Sequence, residues 1–116
     1  MCDASRQPAR DSDTQAISLD SDGSGEIRVL KGPHNWCEVI ASYPVTVTAG
    51  DVQVFRLEAN PDNTVVVKAL IGVLAFNADG AGSVFHVAPG SRLAFSLSGY
   101  AGAGEVTGIL SSWSEA

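Results

Sequence analysis

The chain of 116 residues has the size of one ordinary domain, and its 13 acidic and 7 basic side chains give a net charge of −6. Because nucleic-acid phosphates attract proteins with surplus Lys and Arg, this balance argues against a nucleic-acid binder. Apolar residues make up 45% of the chain and charged residues 17%, unlike the composition of a disordered chain. The composition therefore predicts a globular domain.

The excess negative charge is concentrated near the N-terminus. Residues 1–26 carry six acids and two bases, whereas the other 90 residues carry seven acids and five bases. Met1–Thr14 has no helical or alternating apolar pattern, so it cannot bury enough surface to offset the entropy of ordering. The sequence predicts a flexible acidic and polar N-terminal arm at residues 1–14 and a β-sandwich domain at residues 15–116. Whether the arm orders against a neighbouring subunit is open at this point.

From residue 16 onward, apolar residues alternate with polar ones, and clusters of Gly, Pro, Asp and Ser separate the alternating segments. This period of two indicates strands joined by turns. In chain order the predicted strands are Ala16–Leu19, Glu26–Lys31, Trp36–Thr48, Val52–Leu57, Val65–Phe76, Ser83–Val87, Arg92–Ser98 and Glu105–Ser112. The predicted turns are Asp20–Gly25, Gly32–Asn35, Ala49–Asp51, Pro61–Asn63, Asp79–Gly82, Ala88–Ser91 and Gly99–Gly104. The fold class is all-β: a single antiparallel, jelly-roll-like β-sandwich of about eight strands with an extended N-terminal arm.

Two local patterns add detail to this prediction. Pro44 lies inside an extended segment, where it marks a bend or a point at which the chain changes sheets. Leu93, Phe95 and Leu97 alternate along one strand, so the three side chains point the same way.

The longest apolar stretch, Val65–Phe76, holds twelve residues including Lys68, too few for a membrane helix of about 20. It is either a strand buried on both faces, which we favour, or a partly exposed subunit contact. Met1–Ser18 has no apolar block that could serve as a secretion signal. We therefore expect no membrane partner, and synthesis in a cytoplasm without export.

Two patterns suggest metal ligands at first sight. Asp20–Gly25 has oxygens at alternate positions followed by a glycine, as in an EF-hand, but the twelfth position is Lys31 instead of Glu. We interpret it as a hairpin loop. The four His and Cys residues do not form the paired motifs of zinc sites, so we predict no metal. His34 is interpreted as a turn residue, His86 as an exposed strand residue, and Cys2 and Cys37 as two free thiols.

The sequence shows no catalytic motif. It contains no Gly-x-Ser-x-Gly, and no pattern places a histidine beside a nucleophile and an orienting acid. Gly99–Gly104 lacks the lysine and helix start of a phosphate-binding loop. We predict no catalytic residue, no cofactor and no enzymatic activity.

Among the eight aromatic residues, Tyr100 in a glycine-rich loop and Trp113 near the chain end are the two expected to be exposed. Two exposed rings favour protein contacts over a sugar-binding platform. The predicted partner-binding residues are Arg6 and Arg10 in the arm, together with Tyr100 and Trp113.

A series of turn and strand motifs carries a family resemblance: Gly25–Val29, Gly32-Pro33, Trp36-x-x-Val39, Val54–Arg56, Pro89–Gly99 and a final glycine-rich turn before Val106–Leu110. Their order resembles small β-sandwich virion proteins of tailed phages, especially those that infect actinobacteria. The resemblance covers about Gly25 to Leu110.

The resemblance implies a structural role in the virion, as a capsid decoration, head fibre or minor tail protein made in the host cytoplasm. Its partners would be virion proteins such as the major capsid protein, and the chain would form a homo-oligomer. Symmetric assembly repeats one contact many times, so each contact can be modest. The alternative function is a carbohydrate-binding or adhesive β-sandwich module that recognises a host surface.

Overall fold

The computed structural model describes residues 12–19, 27–59 and 65–114. In this part of the chain there are eight strands: β1 (Ser12–Leu19), β2 (Ile27–Val29), β3 (Trp36–Ser42), β4 (Val47–Ala59), β5 (Val65–Leu74), β6 (Ala81–His86), β7 (Arg92–Gly102) and β8 (Val106–Trp113). No helix long and apolar enough to cross a membrane occurs among these residues. The predicted turns at Asp20–Gly25 and Pro61–Asn63 lie outside the described residues.

The strands form two four-stranded antiparallel sheets. Sheet A has the order β1-β8-β3-β6 and sheet B has the order β2-β7-β4-β5. The first strand pairs with the eighth, the second with the seventh, the third with the sixth and the fourth with the fifth. These nested pairs, distributed alternately between two sheets, are the jelly-roll arrangement. The predicted all-β sandwich of about eight strands is confirmed.

The core lies between the two sheets and is built by alternate residues of most of the strands. Leu93, Phe95 and Leu97 of β7 all point inward and belong to the buried cluster, as their spacing predicts. Sheet A contributes inward residues such as Val39 and Leu110, each 1% exposed. At roughly 25 cal/mol per Å² of apolar area, burial of this kind is the main source of the sandwich's stability.

The chain crosses from sheet A to sheet B at Pro44, where the sequence predicts a bend or a change of sheet. β3 ends at Ser42 in sheet A, Pro44 lies in the turn, and β4 begins at Val47 in sheet B. The Val47 amide donates to the Pro44 carbonyl at 3.0 Å and closes this turn.

Two predicted glycine turns are instead parts of strands. Ala49–Asp51 lies within β4, where the register with β7 shifts on both sides of Ala49, so this segment is a bulge. Gly99–Gly104 is not a free loop either, because β7 continues to Gly102. A Cβ at Gly102 would lie 2.1 Å from the Thr46 carbonyl oxygen, and its φ is +110°. Glycine here permits close approach of two backbones, a role that composition alone does not separate from a turn.

β1 begins at Ser12 and so includes residues 12–14 of the predicted arm. Arg28 and Gln15 connect the two sheets at this side: Arg28 donates to the Ala16 carbonyl, and Gln15 donates to the Val29 carbonyl. Residues 1–11 of the arm lie outside the described residues.

Candidate functional site

The outer face of sheet B carries a line of apolar side chains, which we call the apolar row. Its members are register partners on four successive strands: Ile27 of β2, Ala94 of β7, Phe55 of β4 and Leu70 of β5. Ile27 is 52% exposed and Leu70 is 51% exposed, so both ends of the row face solvent. Exposed apolar side chains at both ends of such a row are typical of a contact surface.

The rows on either side of the apolar row mix apolar and polar residues: Leu57 lies opposite Arg92 and Lys68, and Gln53 lies opposite Ser96 and Val73. Ala94 within the apolar row and Leu57 next to the row are buried, yet neither belongs to the core cluster, because both lie on the outer side of the sheet. The ammonium Nζ of Lys68 lies 4.4 Å from the centre of the Phe55 ring. This cation–π contact directs the lysine charge onto the row instead of away from it.

β5 is an edge strand, which corrects the favoured interpretation of Val65–Phe76 as a strand buried on both faces. It ends the strand order of sheet B, with β4 on one side. Leu74 is buried in the core, whereas Leu70 and Val73 on the outer face are about half exposed. Along the part of β5 whose side chains are described, Lys68 is the one charged residue. An edge of this length with so little charge is a template for association.

The outer face of sheet A has a different character, and Trp113 is part of it. In register across this sheet lie Ser12 of β1, Trp113 of β8, Trp36 of β3 and His86 of β6. We call this line the tryptophan row. Both tryptophans are half-buried, and the ring centres of Trp36 and His86 are 4.5 Å apart at an interplanar angle of 47°. The predicted exposed position of His86 is confirmed.

A second line of residues, which we call the polar row, lies on the same face two residues further along each strand. It consists of Thr14, Ser111 and Glu38 in register, with Val84 at the end on β6. Glu38 is the single carboxylate, and there is no Lys or Arg, among the described outward-facing residues of this sheet. Two hydroxyls and one carboxylate therefore lie next to the tryptophan row, about 7 Å away along the strands.

Tyr100, another predicted partner-binding residue, does not lie at this place. Tyr100 is half-buried, packs on the core and donates from its hydroxyl to the Gly104 carbonyl at 2.8 Å, so it fixes the β7–β8 connection. Trp113 lies at the opposite end of β8, about 20 Å away at 3.3 Å per residue. Arg6 and Arg10 lie outside the described residues.

The sequence prediction missed Trp36 and Leu70 as surface residues. The signal for Trp36 is its position in the alternation of β3: Cys37, Val39 and Ala41 are buried, which places Trp36 on the opposite face. For Leu70 no such signal exists, because the residues around it are apolar on both faces of the strand.

His34, Ser112 and Cys37 are buried inside the sandwich, and Cys37 is the register partner of Ser112. His34, interpreted from sequence as a turn residue, is fully buried, and its Nδ1 lies 2.8 Å from Ser112 Oγ, itself 1% exposed. Cys37 is a free, buried thiol, and burial raises its pKa to about 11, so it stays protonated at neutral pH. Within the described ranges no group of three or more His, Cys, Asp or Glu residues could hold a metal ion.

Tyr43 is half-buried and packs against the core at one end of the sandwich. Burial, and secondly the negative charge of Asp51, raise the pKa of its phenol. The hydroxyl donates to the Gly50 carbonyl at 2.8 Å, and the ring packs edge-on against Phe76 with centres 4.8 Å apart. These contacts hold the β4 bulge in place.

No protein-family model matches the sequence of this chain, and no curated protein matches it. The two outer faces of the sandwich are therefore the features of this molecule that bear on its function.

Proposed function

We propose that this protein is a non-enzymatic structural component of a tailed-phage virion, which binds other copies of itself and other virion subunits. The sequence resemblance suggests the virion. The observation that supports subunit binding is the apolar row, which crosses sheet B and ends at the half-exposed edge strand β5. Jelly rolls occur in capsid proteins and in lectins, so the fold alone does not select this function.

The physical reason for association is the exposed apolar area at the β5 side. Leu70, Val73 and the Phe55 ring lie on one face, and Lys68 is held over that ring instead of protecting the edge. A twofold contact between two such edges is self-complementary, because each copy offers the same strip to the other. The interface would have the apolar centre that homodimer contacts favour.

The test is the oligomeric state of the purified chain, measured by light scattering over a range of concentrations. We expect a dimer or higher oligomer for the unchanged protein. Leu70→Glu places a charge in the contact and should weaken association at least about tenfold. The matched control is Ile109→Glu on sheet A, where Ile109 is 48% exposed, and this variant should associate normally. A strict monomer would refute subunit binding.

The virion assignment needs a separate measurement. Mass spectrometry of purified phage particles should find the protein at a fixed copy number relative to the major capsid protein. Its presence in infected cells but not in particles would contradict the assignment. The alternative function, carbohydrate recognition, makes no use of the β5 edge and involves sheet A.

A further inference from the structure

The two tryptophans of this chain, its only two, lie side by side on the outer face of sheet A. They come from β3 and β8, which are far apart in sequence and adjacent in the sheet. With His86 against Trp36, the tryptophan row presents aromatic surface on three neighbouring strands, a width of about 10 Å. Directly opposed residues in an antiparallel pair have their side chains close together, so the two indoles form one surface.

The polar row supplies hydrogen-bonding groups beside this surface. Glu38 offers two carboxylate oxygens as acceptors, and the hydroxyls of Thr14 and Ser111 both donate and accept. All three are register partners in a single line, so they lie on the same face of the sheet as the tryptophans. An aromatic surface beside hydroxyl and carboxylate groups matches the two sides of a sugar ring, which has apolar C–H faces and polar edges.

The charge of this face selects against other ligands that stack on aromatic rings. Nucleic-acid strands need Lys or Arg beside the stacking rings to neutralise phosphate. The described outward-facing residues of sheet A include neither, and Glu38 adds negative charge. A phosphate-bearing or otherwise anionic ligand would be repelled, whereas a neutral one would not.

We propose that the tryptophan row and the polar row together bind a neutral oligosaccharide. Sugar rings stack on Trp113 and Trp36, and their hydroxyls donate to the Glu38 carboxylate and bond to Ser111 and Thr14. The row is long enough for a short chain of sugar rings. This site is on the sheet opposite the apolar row, so it does not depend on association through β5.

The experiment uses the full chain, and the tryptophans themselves are the reporter. A glycan array that includes neutral bacterial cell-wall oligosaccharides identifies candidates, which are then titrated while the tryptophan emission is recorded. Because the chain has no third tryptophan, any change in emission reports on this site. We expect a saturable shift with at least one neutral oligosaccharide and none with an anionic oligosaccharide of the same length.

Variants assign the binding to the proposed residues. Trp113→Ala should weaken binding about tenfold, whereas Trp113→Phe, which keeps a stacking ring, should retain most of it. Glu38→Gln keeps the size of the side chain and removes acceptor strength, so it should weaken binding by a smaller factor. Ile109→Ala, on the same face two rows from the tryptophans, is the matched control and should bind normally. Thermal unfolding shows whether each variant is folded.

Three results would overturn the proposal. The first is the absence of binding to every neutral oligosaccharide on the array. The second is binding that Trp113→Ala and Glu38→Gln both leave unchanged, since the ligand would then lie elsewhere. The third is a response of the tryptophans to a proline-rich peptide alone, because aromatic grooves also bind polyproline helices.

Discussion

Replacement of Gly72 by alanine tests how the β5 edge is held against sheet A. Gly72 lies opposite Val54 of β4, and a Cβ built on it points toward β6. That atom would lie 2.4 Å from Cε1 and 2.9 Å from Cζ of Phe85. The Phe85 ring thus occupies the space of the missing side chain and closes the sandwich at the side where β5 and β6 are both edge strands.

The expected cost follows from two opposing terms. In a strand, alanine restricts the unfolded chain more than glycine does, which favours folding by roughly 0.5–1 kcal/mol. The added methyl group must displace the Phe85 ring, and overpacking of this kind costs about 1–3 kcal/mol. The atoms in conflict belong to the far end of a side chain that can rotate, so the cost is in the lower part of this range. We expect Gly72→Ala to lower the free energy of unfolding by about 1 kcal/mol.

Urea unfolding followed by circular dichroism measures this change, and a double-mutant cycle with Phe85→Leu identifies its cause. Phe85→Leu alone loses packing and destabilises the protein, but it also makes room at position 72. The double variant should therefore be about 1 kcal/mol more stable than the sum of the single changes predicts. A stabilising effect of Gly72→Ala, or strict additivity in the cycle, would refute the steric argument.

Two further predictions concern groups inside the sandwich. Ser112→Ala removes the hydroxyl that lies 2.8 Å from His34 Nδ1, and it should lower the free energy of unfolding, measured in urea, by about 1–3 kcal/mol. The control Ser111→Ala on the outer face should change it by less than about 0.5 kcal/mol. Equal effects of the two variants would contradict the buried contact. In a Cys2→Ser variant at pH 8, Cys37 should react with a thiol reagent at least about 100-fold more slowly when native than when unfolded, because burial raises its pKa from 9.0 to about 11. The contribution of this thiol to stability is complete below pH 9, where both states are protonated, and is lost as the pH rises through 11, by roughly 3 kcal/mol. A flat stability profile over this interval would contradict the raised pKa.

The strands could be predicted from the sequence because alternation is a local property. Leu93, Phe95 and Leu97 point inward whatever strands lie beside them, and Pro44 ends a strand wherever that strand is placed. The errors in the predicted turns occur at glycines. Gly50 lies in a bulge and Gly102 allows two backbones to approach, and in both cases a neighbouring strand decides the role of the residue.

The surfaces could not be predicted, because they depend on pairing between distant strands. Nothing near Trp113 in the sequence indicates that β8 enters sheet A between β1 and β3 and brings it beside Trp36. The apolar residues of β5 are similar on both faces, so only the position of the strand at the edge of sheet B determines that Leu70 is exposed. Both candidate sites therefore depend on the order of the strands in each sheet, which the alternation of apolar and polar residues does not encode.

The nested pairing of a jelly roll also determines how the two surfaces are related. β3 leads into β4 through the Pro44 turn, so the tryptophan row and the apolar row are carried by strands that are consecutive in the chain yet lie in opposite sheets. Their outer faces are back to back, with the core between them. A subunit held through the apolar row would consequently present the tryptophan row away from the contact. The two proposals then require that association and oligosaccharide binding are independent of each other. Leu70→Glu should alter association without altering the oligosaccharide titration, and Trp113→Ala should alter the titration without altering association. A variant on one face that changes both measurements would show that the faces do not act separately.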